Sequence, residues 1–226
     1  MSQSSLAAPQ LVINSRMIYS SWIPADPKAA AALLPSRLKP AANNAIYMNQ
    51  YVVDSEEQTS GFGAYSLTYL GLDLGGLTAP DGVTPARFFT NYFNSSQIMR
   101  EYAAERGVPA SPGSTTVEVH GHELEATTSV DGVPIIRTRA HVGQKIGVVA
   151  RGHLTYLTQL NGKIMAGNYA YIGELVDPFE LKSVEFLAKD HPVWAIRPAT
   201  PFQPVVASSW FAPRDSFVYP GGEYEI

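Results

Sequence analysis

Two dipeptides, Asp131-Gly132 and Asn161-Gly162, each stand between runs in which apolar and polar residues alternate. Asx-Gly pairs accept the left-handed backbone that a two-residue hairpin turn demands, and alternation puts one face of each strand toward a core. The spacing therefore predicts a hairpin from VPIIRTRAHV back onto HELEATTSV. It predicts a second that joins HLTYLTQL to KIMAGNYAYIG. Further strands are expected at Leu11–Tyr19, Ile46–Val53, Phe62–Leu74 and Ala86–Phe93, in TTVEVHG, and later in ELKSVEFLA and PVVASSWFA. A chain of 226 residues with 45% hydrophobic and 16% charged residues has globular composition and enough length for one large β domain or two small ones. No repeat, linker or composition shift divides it. The reading is a flexible tail over residues 1–10 and a single domain over 11–226, mainly β (α+β), a closed antiparallel β-barrel or double sheet with two short helices.

Two helices are legible from their punctuation. Asp26 is an N-cap, Pro27 suits the first helical position and Pro35 stops the turn. Ser95 or Ser96 caps IMREYAAER, whose apolar stripe is Ile98, Met99, Tyr102 and Ala103; Gly107 fits the left-handed C′ position ahead of Pro109.

Composition removes several function classes. The net charge is −4 and no basic run exceeds two residues, so nucleic acid is not an expected partner. Cysteine is absent, which excludes thiolate chemistry and disulfides. The longest apolar run, Ala29–Leu34, is too short for a membrane span, and the N-terminus lacks a signal-peptide pattern, so a cytoplasmic protein is expected. Neither G-x-S-x-G, nor a dinucleotide-binding glycine motif, nor a phosphate-binding loop occurs, and no cofactor is implied. His120-Gly121-His122 offers two imidazoles but no third ligand at a telling distance, and Gly121 marks a bend; no metal is expected. His153 is weighed as a pocket acid or base.

Aromatic residues carry more information. Tyr65, Leu67 and Tyr69 share a strand face by the period of two, and Tyr47, Tyr51 and Tyr92 lie on neighbouring strands. A tyrosine-lined interior can stack on a ring and hydrogen-bond an oxygen. Arg16 sits in an otherwise apolar strand. If it faces the core it needs an anionic partner, from the protein or from a ligand.

The order of these pieces resembles the acetoacetate decarboxylase family over nearly the whole chain. The matching pieces are R-x(9)-D-x(2)-A-x(5)-P-x(2)-L (Arg16, Asp26, Ala29, Pro35, Leu38) and S-G-x-G-x-Y (Ser60 to Tyr65). The helix end Y-x(4)-G-x-P (Tyr102, Gly107, Pro109) and the layout of His191–Pro220 match as well. The resemblance implies a cone-like closed β-barrel around a buried pocket, and a homo-oligomer. It also implies decarboxylation of a β-keto acid through a lysine Schiff base, which needs one amine neutral near pH 7. Here the Schiff-base position falls on Ala104 and the second lysine on Glu105, while a family glutamate falls on Leu67. Another family glutamate lies within Tyr47–Val52, where Asn49 or Gln50 stands in for it. Of the family's pocket residues, Arg16 is kept.

The expectation is a small-molecule enzyme that keeps the barrel and changes the chemistry. Arg16 would hold a carboxylate or enolate oxygen, Tyr65 would move a proton, and Leu67, Tyr69, Tyr47, Tyr92 and Ala104 would contact the substrate. The reaction would be cyclisation, dehydration, isomerisation or hydrolysis of a keto, enol or aromatic acid compound, in a biosynthetic or catabolic setting. Two alternatives stand beside it: a non-catalytic binding barrel, and a decarboxylase with a relocated lysine, for which Lys145 is the first choice. The orientation of Glu101 and Glu105 is left open.

Overall fold

Both Asx-Gly turns form: Asp131 and Gly132 have φ of 51° and 76°, and Asn161 and Gly162 have 51° and 79°. The computed structural model describes residues 6–205 and 208–226. The hairpin strands are far longer than the alternating runs that announced them. β8 runs over Val133–Leu160 and β9 over Lys163–Phe186. Register shifts at Val142/Lys145 and Ile146/Val148 bend this ribbon, so its two halves serve two different layers.

One half closes a barrel. β1 (Gln10–Trp22), β2 (Ile46–Val53), β3 (Tyr65–Thr78) and β4 (Pro85–Asn94) form an antiparallel run. β10 (Trp210–Tyr219) joins β1 to β9. β4 meets β8 in parallel at Arg87↔Tyr156 and Phe88↔Leu157, and the β8–β9 pairing completes the ring. The barrel is thus mainly antiparallel, with parallel pairing where β4 meets β8 and where it meets the short β5 (Ala110–Pro112).

The other half makes a second layer. β6 (Ser114–His120) pairs with β7 (Glu123–Val130), β7 with the first part of β8, and that part with the end of β9. Ile18, Val117, Leu124, Ala140 and Val142 pack between the layers, and a neighbouring cluster holds Trp22, Ile46, Met48, Leu70 and Ile136. β2 is therefore buried on both faces: Tyr47 and Tyr51 point into the barrel, Ile46 and Met48 toward the outer layer.

α1 (Pro27–Ala31) is capped by Asp26, whose carboxylate accepts from the Lys28 and Ala29 amides. α2 (Gln97–Ala104) is capped by Ser96 and inserts Met99, Tyr102 and Ala103 into the barrel core. Ile98, read as part of that stripe, is 47% exposed. The stripe continues instead to Arg106, one turn beyond Tyr102. Residues 1–5 of the expected tail lie outside the described residues; Leu6 packs on the barrel core and Gln10 opens β1. Val206 and Ala207, within the expected strand PVVASSWFA, also lie outside them, and the strand observed there begins at Trp210. Among the described residues no helix is long and apolar enough to cross a membrane.

Candidate active site

The barrel encloses a cavity walled mostly by aromatic rings. Tyr19 from β1, Tyr69 from β3 and Tyr169 from β9 bring their hydroxyls together: Tyr69 and Tyr169 are 3.0 Å apart, Tyr19 and Tyr169 3.2 Å, and Tyr19 and Tyr69 closer still. Three mutually bonded hydroxyls keep lone pairs to spare, and any of them can turn its proton toward an oxygen in the cavity. Burial pushes all three phenols above the ordinary range, so they act as neutral donors.

Behind this triangle lies a buried cation. Arg87 on β4 donates from Nε to Asp73 Oδ1 at 3.0 Å, and its guanidinium lies 4.4 Å from the Tyr47 ring centroid and 5.8 Å from that of Tyr19. Burial alone would pull its pKa down, but Asp73 and the nearby tyrosines more than offset that and hold it above its usual value. It pulls the phenols of Tyr19, Tyr47 and Tyr169 toward lower pKa, against burial, so the triangle carries a positive bias suited to negative charge on a ligand oxygen.

Asp215 on β10 lines the same cavity. It is 1% exposed and its Oδ2 has no hydrogen-bond partner. Burial pushes its carboxyl up to about 8. Its cross-strand neighbour is Gly173, where a Cβ would come within 2.3 Å of Asp215 Oδ2; only glycine leaves room for the carboxyl there. Across the cavity, Arg106 lies 3.1 Å from Glu223, and the Tyr156 hydroxyl donates to Glu223 Oε1 at 2.6 Å. Among the described residues of the cavity wall, Asp215 is the one carboxylate and Arg106 the one cation.

The residues singled out in the sequence fall in several places. Tyr69 and Tyr92 line the cavity. Tyr65 is buried one layer behind it, its hydroxyl 2.8 Å from that of Tyr51, which in turn lies 3.3 Å from the hydroxyl of the cavity residue Tyr219. Leu67 is fully buried in the barrel core, off the wall, and Tyr47 packs under Arg87. Ala104 is exposed; its neighbour Ala103 is the alanine that faces the cavity. Glu101 and Glu105 are off the wall, and Glu101 accepts from Gln97. His153 is exposed, as are all six lysines, Lys145 included.

Arg16 does not reach the cavity. It is a half-exposed residue on the outer side of β1, paired with Asp54 through Nε (2.9 Å) and Nη2 (2.6 Å) and donating to the Val117 carbonyl. The cause is a bulge: Asn14 has φ 53°, and the register with β10 shifts on both sides of Ser15. The extra residue reverses the parity of the strand, so Val12 faces the barrel interior, but beyond the bulge Met17 and Tyr19 do so. The two polar candidates on β2 also divide. Gln50 faces the outer layer and bonds to Thr128 and Thr138, whereas Asn49, on the face of Tyr47 and Tyr51, is fully buried with neither amide atom hydrogen-bonded.

Asp73, Arg87, Arg106 and Asp215 were missed. For Asp73, Arg87 and Asp215 the available signal was the one that drew notice to Arg16, a charged residue inside an apolar strand; Arg106 lies just beyond α2, four residues after Tyr102. Asp215 escaped because the last strand was read only as far as Ala212, short of its observed end at Tyr219.

The fold is that of the acetoacetate decarboxylase-like proteins. An acetoacetate decarboxylase-like enzyme from Sphingomonas wittichii RW1 superposes with a TM-score of 0.67 at 14% identity, over 100% of this chain and 98% of that one. The enduracididine biosynthesis enzyme MppR, solved with the condensation product of pyruvate and imidazole 4-carboxaldehyde, gives 0.64 at 12% identity, over 97% and 90%. Acetoacetate decarboxylase from Legionella pneumophila gives 0.63 at 13% identity, over 100% and 90%. No family model and no curated protein matches the sequence.

Proposed function

We propose that this protein is an enzyme that moves a proton on a small carbonyl compound, with Asp215 as the acid–base group and without a Schiff base. One observation carries the reading: a carboxyl inside an aromatic cavity, its Oδ2 without a hydrogen-bond partner and its pKa raised to about 8. A general base works best when its pKa lies near the working pH. In its ionised form Asp215 takes a proton from the carbon beside the carbonyl. The resulting enolate oxygen accepts hydrogen bonds from the Tyr19–Tyr69–Tyr169 triangle, biased by Arg87. The protonated Asp215 then returns the proton to a different atom, which completes an isomerisation, or to a leaving oxygen, which completes a dehydration. All six lysines lie outside the cavity wall, which supports a reaction without a lysine imine.

The test follows proton-to-deuteron exchange by NMR in heavy water, on phenylpyruvate, phenylacetone and acetoacetate. Enzyme-dependent exchange in at least one, lost in Asp215→Asn, is the expected result. Tight retention of a ligand with no exchange would make the protein a binding barrel instead. Self-association belongs to the same proposal: Ile146, Val148, Val149 and Ile172 stand exposed together on the β8–β9 ribbon, and such a patch suits a second copy. A monomer by light scattering would overturn that part.

A further inference from the structure

The cavity is small as it stands. Its free volume is about 30 Å³, room for two or so waters at roughly 10–15 Å³ each. The chain following β10 stands against this wall at Arg106, through Glu223.

Arg106 is held firmly. Its carbonyl accepts from the Thr158 hydroxyl at 2.6 Å, its Nη1 donates to the Tyr102 carbonyl at 2.8 Å, and its guanidinium lies 3.5 Å from the Tyr102 ring centroid. Its Nε lies 3.1 Å from Glu223 Oε1, yet at an angle that makes no hydrogen bond, so a buried donor is left without a partner. A buried donor left without a bond is destabilising. Glu223 meanwhile accepts from Tyr156 on the same oxygen. A carboxylate thus already stands at Arg106, badly aligned.

Glu223 arrives there on a hinge. β10 ends at Tyr219, itself a wall residue, and Gly221 and Gly222 follow with φ of 75° and 77°. Two successive left-handed residues are what glycine permits and other residues resist. Beyond them β11 (Tyr224–Glu225) holds to the edge of β9 through a two-residue ladder and an exposed Lys163–Glu225 pair. That attachment is slight, since an exposed ion pair adds little.

We propose that Arg106 recognises a carboxylate on the ligand of this cavity, and that Glu223, on a C-terminal strap hinged at Gly221–Gly222, occupies that place until the ligand displaces it. The inference rests on the reading of this cavity as the active site. Displacement gives the guanidinium an aligned partner and frees the Tyr156 hydroxyl. It makes Arg106 and Glu223 a pair that sets preference for acids over neutral analogues.

Calorimetric binding of phenylpyruvate and of its methyl ester tests this in wild type, Glu223→Gln, Glu223→Ala and Arg106→Gln. Both Glu223 variants are expected to bind the acid about tenfold more tightly, which corresponds to about 1.4 kcal/mol, with the ester unchanged. Arg106→Gln is expected to lose the preference for acid over ester. The proposal is overturned if the Glu223 variants bind the acid no better than wild type, if none of the proteins binds it, or if Arg106→Gln keeps the preference. Deuterium exchange is read separately. Exchange without a Glu223 effect sinks the strap alone, while a Glu223 effect without exchange sinks the proton-transfer reading alone.

Discussion

Two clusters of buried polar groups lie on opposite sides of the barrel wall, and β2 contributes to both, through Gln50 and Asn49. On the outer face, Gln50 joins Thr128 and Thr138, and Thr68 joins Thr115 and Thr128, at distances of 2.6–2.9 Å. None of these side-chain atoms is left without a partner. On the inner face, Asn49, Tyr92, Tyr102, Arg106 and Asp215 each leave at least one buried atom unbonded. A saturated network between two layers locks them in register and has no capacity for a visitor. An unsaturated one leaves donors and acceptors for a ligand. The outer cluster reads as structure and the inner one as function.

The largest expected effect comes from the inner face. Asp215→Asn should lower enzyme-dependent exchange by about 100- to 10,000-fold, the usual worth of a positioned acid–base group, while the fold persists by circular dichroism. With Asp215 as base, exchange in the wild type should rise with pH and level off above about 8. A profile that falls over this range would turn the comparison against Asp215.

Stability should move the opposite way. The folded pKa of Asp215 is raised from 3.8 to about 8, so between those values the folded protein holds a proton that the unfolded chain releases. Its contribution is fully present below about 4 and is lost as pH rises to about 8, at about 1.4 kcal/mol per pH unit. Asp215→Asn should remove that slope and melt higher than wild type at pH 8.5. Parallel melting curves against pH would show that the carboxyl is solvated.

On the outer face, Gln50→Leu should lower stability by about 1–3 kcal/mol by stranding Thr138, with exchange per folded molecule unchanged. A loss of exchange without loss of stability would mean that the two faces are not separate in function. The smallest effect belongs to Arg16→Ala. Its pair with Asp54 is half-exposed, and such pairs are worth about 0–1 kcal/mol. Denaturant unfolding should shift little and exchange not at all; a sharp drop in exchange would restore Arg16 to the site.

Local chemistry was legible in the residues alone. The Asx-Gly turns, the Asp26 and Ser96 caps, the Gly107 helix end and the inward set Tyr65, Leu67 and Tyr69 each depend on a few consecutive residues, and the structure keeps them all. The order of the pieces also carried the family's barrel. What the tertiary structure decided depends on distant strands meeting. A single bulge at Asn14, fixed by pairing with β10, turned Arg16 outward and Tyr19 inward. The hydroxyl triangle unites residues 19, 69 and 169, and the Asp215 carboxyl fits only because residue 173, on another strand, has no side chain. Turn and cap preferences are written in neighbouring residues, but whether a strand charge faces water or a cavity is set by register, which one extra residue reverses.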